Sequence, residues 1–60
     1  MTTIVSMLEG MIETLNDAMK DAAKSDKGNK TAGMRVRKVM QEIKRSAQDV
    51  RIQIQENRNA

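Results

Sequence analysis

The chain has no cysteine, histidine, proline, phenylalanine, tyrosine or tryptophan. Without cysteine and histidine it can form neither disulfides nor thiolate or imidazole metal sites. The lack of cysteine is also compatible with a reducing cytoplasm. Without His, Cys or Tyr, a general base would have to be a carboxylate or a lysine. The lack of aromatics leaves nothing on which to stack bases, which argues against single-strand platforms and sheet-based RNA readers. No apolar run approaches the ~20 residues of a membrane span. The N-terminus has no basic segment ahead of an apolar one, so it does not read as a secretory signal. Catalysis, cofactor binding and small-molecule turnover are therefore not expected.

The sequence has 60 residues, a net charge of +3 and six methionines. A chain this short buries only about 60 % of its unfolded surface, so a lone core is marginal. With disulfides and metals excluded, oligomerisation is the remaining route to stability. Charge is unevenly spread. Residues 1–25 hold two lysines against four acids, a net −2, whereas residues 26–60 hold nine Lys/Arg against four acids, a net +5. The second half should therefore meet an anionic partner or an acidic sister helix.

Helical periodicity dominates both halves. Ile4, Leu8, Met11, Leu15, Ala18 and Ala22 recur at steps of four and three, with Val5, Ile12 and Met19 in a second row beside them. An apolar face this wide should touch two neighbours. Thr2 or Thr3 can cap the start, and Ser6 to Glu9 offers a capping box one turn later. The break falls at residues 24–29, where Gly28 suits a left-handed helix end and Asn29 a new N-cap. The predicted domain is a single all-α antiparallel hairpin over residues 1–60. Helix one covers about 3–26, the turn 27–29 and helix two about 30–57. One continuous bent helix is the alternative.

In the second half Ala32, Val36, Val39, Ile43, Ala47, Val50 and Ile54 form the apolar stripe. Gly33 sits in the first turn, and its reading is close helix packing. Two such hairpins should pair into a four-helix bundle, with Ile4, Leu8, Met11, Leu15, Val36, Ile43 and Val50 as the expected oligomer interface. The methionines suit loosely shaped helix interfaces.

Five cations, Lys30, Arg37, Lys44, Arg51 and Arg58, recur every seven residues. On a helix they make one row with members about 10 Å apart. Glu42, Asp49 and Glu56 fall on the other side of the apolar stripe, so acids and bases are segregated, which is less common than interspersal on an ordinary solvated face. The candidate DNA-binding residues are Lys30, Arg37, Lys44 and Arg51, with Lys27 at the turn and Lys38 and Arg45 on an adjacent row. Arg35, Arg37 and Lys38 point in three directions, so they could serve one DNA surface only if an oligomer presented several. On helix one, Glu9, Glu13, Asp17 and Asp21 step by four. Their row turns away from the apolar stripe and contains no His, so it reads as a solvated face rather than a metal site. Gly10, Gly28 and Gly33 are scattered and form no phosphate-cradling loop.

The stretch from Lys27 to Lys38, with Gly28-Asn29-Lys30 followed by Ala32 and Arg35-Val36-Arg37, resembles the signature of the chlamydial histone H1-like proteins and is more similar still to their short bacterial relatives. The similarity covers about residues 20–57, with helix one alike only in pattern. The resemblance implies a nucleoid-associated protein of the bacterial cytoplasm that binds and compacts double-stranded DNA with little sequence preference. It also implies association into a homodimer or higher homo-oligomer. Longer family members carry a Lys/Ala-rich tail associated with DNA affinity. Ala60 precedes no such tail, so the expectation is that the cation row supplies most of the affinity. The competing expectations are an oligomerising interaction module with little DNA affinity of its own, and an amphipathic membrane-surface helix.

Overall fold

A computed structural model describes residues 3–59 and consists of two helices, α1 (Ile4–Asp26) and α2 (Lys30–Asn59). Thr2 lies outside the described residues. Thr3 caps α1 through a reciprocal pair of bonds. The Ser6 amide donates to Thr3 Oγ1 at 3.0 Å, and the Thr3 amide donates to Ser6 Oγ at 3.2 Å. Ser6 is thus the third residue inside the box that Thr3 opens, instead of opening a second box one turn later.

The turn is closed by backbone bonds that consume the last carbonyls of α1. The Asn29 amide donates to Lys24 O at 3.1 Å and the Gly28 amide to Ser25 O at 2.9 Å, the paired pattern of a Schellman end. It needs a left-handed residue after the cap, and Gly28 supplies it at φ 96°. Asn29 then opens α2, its Oδ1 accepting from the Ala32 amide at 3.0 Å. With only three residues between them, the helices must run side by side and antiparallel.

The two helices meet along one seam. From α1 it takes the half-buried Ile4, Met7, Met11, Thr14, Asp21, Ala22 and Ser25, and the buried Ala18. From α2 it takes buried Ala32 and half-buried Gly33, Val36, Val39, Ile43, Ser46, Ala47, Val50 and Gln53. The seam residues are small near the turn and larger at the open end, so the helices approach most closely where the turn ties them. Gly33 makes this possible, because a β-carbon there would lie 3.0 Å from Ser25 Oγ.

The apolar row expected at the seam of α1 is displaced by the structure. Met7 and Thr14 take places that the sequence pattern assigned to Leu8 and Leu15, both of which are exposed. The stripe on α1 is wide enough for either row, and the turn selects the angle. Of the expected oligomer residues, Ile4, Met11, Val36, Ile43 and Val50 lie half-buried between α1 and α2 of one chain. Among the described residues only Ala18 and Ala32 are buried. The molecule extends over 48 × 15 × 14 Å, its long axis set by α2, whose 30 residues span about 45 Å.

Candidate nucleic-acid interface

At about 100° per residue the heptad spacing sorts α2 into lengthwise rows. With the seam toward α1 as reference, Met40, Ala47 and Ile54 lie on one flank, followed by Arg37, Lys44 and Arg51. Facing away from α1 are Met34, Gln41, Gln48 and Gln55. Lys38 and Arg45 follow on the far side, and Arg35, Glu42, Asp49 and Glu56 complete the circle.

The outer face of α2 is thus a line of glutamines between two lines of cations. Three shallow depressions mark it, one per heptad. The first is lined by Met34, Arg37, Lys38 and Gln41. The second is lined by Gln41, Lys44, Arg45 and Gln48. The third is lined by Gln48, Arg51, Ile52, Gln55 and Glu56. Arg37 and Lys38, expected to diverge, border the same depression, because residues on either side of the outward line both reach its rim. The glutamine line is a component that cation spacing alone does not reveal. Its signal in the sequence is the same interval of seven, at 41, 48 and 55.

All seven candidate cations, Lys27, Lys30, Arg37, Lys38, Lys44, Arg45 and Arg51, are exposed. Lys27 is the C-cap of α1 and Lys30 is the first residue of α2, so both sit at the turn end of the hairpin. The remaining five run along the outer face toward the open end.

Arg35 has a different role. Its Nε and Nη2 donate to the two carboxylate oxygens of Asp21 at 3.1 and 3.0 Å, a forked geometry that a lysine could not reproduce. This is the one salt bridge among the described residues. The hydrogen bonds from Arg35 hold the Asp21 carboxyl below its ordinary value, against a smaller opposing effect of desolvation, and the same contact raises Arg35. The pair closes the polar side of the hairpin, where Asp49 and Ser46 face Ser6, Gly10 and Thr14. Glu42 and Asp49 belong to this side of α2. Glu42 and Asp49 are therefore turned away from the cation-lined face by the rotation that seats Val36, Ile43 and Val50 against α1, whereas Glu56 borders that face at the open end, beside Arg51.

Among the described residues there is no group of three or more Asp or Glu side chains placed to hold a metal ion. No helix of the described residues is long and apolar enough to cross a membrane.

A family model described as Histone H1-like protein Hc1 matches residues 6–60. The chain belongs to this histone H1-like family. The match takes in nearly all of α1, so family likeness reaches well beyond the residues 20–57 that carry the motif. No curated protein and no solved structure gives a significant match. The family is histone-like and DNA-binding, with a structural rather than an enzymatic role.

Proposed function

We propose that this histone H1-like protein binds duplex DNA without sequence preference through the outer face of α2 and, as a homodimer or higher homo-oligomer, helps compact or organise DNA in the bacterial nucleoid. The observation that carries this reading is the separation of charge around α2. Arg37, Lys44 and Arg51 line one side of the outward glutamines and Lys38 and Arg45 the other. Glu42 and Asp49 lie on the polar side of the hairpin, and Arg35 is neutralised by Asp21.

A phosphate backbone meeting this face encounters cations at a rise of about 10 Å per heptad. Each neutralised phosphate releases counterions, which drives binding and makes it salt-dependent. Lysine and arginine on phosphates position a protein without reading bases. The glutamines can accept and donate along the backbone between the cations. No cofactor or small-molecule substrate is part of this function.

The test is an anisotropy titration of the full chain against random duplex at several salt concentrations. Steeply salt-dependent binding that is indifferent to sequence is expected. Salt-independent affinity, or none tighter than about 10⁻⁴ M in low salt, contradicts the reading.

An alternative, an interaction module with little DNA affinity, is favoured by the exposed apolar residues of α1. The two readings separate on charge reversal. Changing Arg37, Lys44 and Arg51 to Glu abolishes DNA binding and spares the oligomer under the first, and disturbs the oligomer first under the second.

A further inference from the structure

The two cation lines on α2 are offset so that they come in consecutive pairs. Arg37 and Lys38 form one pair, and Lys44 and Arg45 repeat it seven residues later. Consecutive residues on a helix stand about 100° apart, so each pair straddles the outward line that holds Gln41 and Gln48. Gln41 lies between the pairs and lines both of their depressions. A single backbone of phosphates can meet one line of cations. Two lines, splayed to either side of one helix, fit two backbones with a groove between them.

We propose that α2 enters the major groove of the duplex, with Gln41 and Gln48 against the base edges and the two cation pairs on the phosphates of opposite strands. This placement rests on the DNA-binding reading above, and it moves the glutamines from a single backbone to the groove floor.

Width selects the groove. A helix with its side chains is about 10–12 Å across, which fits the ~12 Å of the major groove and not the ~6 Å of the minor. The chemistry of the outward line agrees. Every base pair presents a purine N7 acceptor in the major groove, and a glutamine amide can donate to it whichever purine is there. Groove binding then needs no fixed sequence. Met34, one heptad before Gln41 and 70 % exposed, continues the line with an apolar tip suited to a thymine methyl.

The charge pattern also sets the length of the contact. In the third heptad Ile52 stands where a second cation would be, and Glu56 borders that depression. Residues 37–48 are therefore the stretch with cations on both sides, about 16 Å of helix or roughly five base pairs at about 3.4 Å each. A straight helix can follow a curving groove over only such a short distance. Arg51 continues on one side alone. On the opposite side of α2, Val36, Ile43 and Val50 meet α1, so α1 stays outside the groove.

Dimethyl sulfate footprinting of a short mixed-sequence duplex, saturated with the full chain at low salt, tests the placement. The reagent methylates guanine N7 in the major groove and adenine N3 in the minor groove, so both grooves are read at once. Protection of guanine N7 with adenine N3 left reactive is expected. Gln41→Ala combined with Gln48→Ala, at exposed positions where Ala favours the helix, should weaken binding about tenfold through two lost hydrogen bonds. Its salt slope should stay at the wild-type value, because no cation is removed. Protection of adenine N3 equal to or ahead of guanine N7 overturns the proposal. Steeply salt-dependent binding with neither atom protected also overturns it and leaves the DNA reading standing, with α2 lying across the backbones. Unchanged affinity of the double variant overturns the role given to the glutamines. Absence of wild-type binding refutes the DNA reading itself, and this placement with it.

Discussion

Replacing Arg37, Lys44 and Arg51 with Gln removes one line of cations from α2 while keeping helix propensity nearly constant. The three span 14 residues, about 21 Å, alongside which a duplex presents roughly twelve phosphates at one per 1.7 Å. Cations, not phosphates, therefore limit the contacts. Five cations flank the glutamine line in one chain: Arg37, Lys44 and Arg51 on one side, Lys38 and Arg45 on the other. At about −0.9 per contact the log–log slope is near −4.5 per chain, an affinity loss of about 500-fold between 50 and 200 mM salt. The triple variant keeps two of the five, so its slope is near −1.8 and its loss over the same range about 12-fold. The ratio of slopes, about two-fifths, holds whether one chain or two engage a duplex. Anisotropy with a labelled random duplex measures it. Arg35→Gln is the control, because Arg35 is held by Asp21 on the polar side, and its slope should match wild type. If the triple variant keeps the wild-type slope, or if Arg35→Gln lowers it as much as one line-residue change does, the assignment of the DNA face to the outer side of α2 is wrong.

Gly28→Ala places a β-carbon at φ 96° and should destabilise the hairpin by about 1–2 kcal/mol, read by thermal melts at fixed protein concentration. Gly33→Ala adds about 1 kcal/mol of helix propensity but forces Ser25 Oγ, 3.0 Å from the new carbon, to turn away. The change should be near neutral alone and stabilising in a Ser25→Ala background, and equal effects in both backgrounds would show that Ser25 is not the constraint. Thr3→Ala removes the α1 cap and should cost about 1 kcal/mol in the same assay. Acid titration should expose the Asp21–Arg35 pair. The carboxyl pKa is lowered by folding, so its stabilisation is complete above the ordinary value of 3.8 and disappears as pH falls through the lower folded value. Arg35→Gln should flatten that part of the stability–pH curve.

Much of the fold was readable because its determinants are local. Gly28 and Asn29 define the break through conformations that neighbouring residues dictate, and the interval of seven places the cations in one row on any helix. The family motif lay in the same stretch, around Gly28-Asn29-Lys30 and Arg35-Val36-Arg37. The glutamine line obeyed the same interval, but it carries no charge to draw attention and acquires meaning only once its direction, away from α1, is known. Arg35 was equally opaque: nothing in its spacing distinguishes it from Arg37 until Asp21, fourteen residues earlier, is brought across the hairpin.

The sequence by itself determined two helices, the Asn29 cap of the second, the turn and the sorting of charge around α2, since each follows from residue identity and a rotation of about 100° per residue. It did not determine which of two adjacent apolar rows on α1 meets α2. A stripe broad enough for two partners leaves the docking angle open, and hydrophobic burial, being non-directional, does not choose between neighbouring rows. The tertiary structure decided it through the short turn and the close approach of Gly33 to Ser25. That choice set Met7 and Thr14 in the seam and left Leu8 and Leu15 exposed. It joined Arg35 to Asp21, and it turned the cation-lined face of α2 outward.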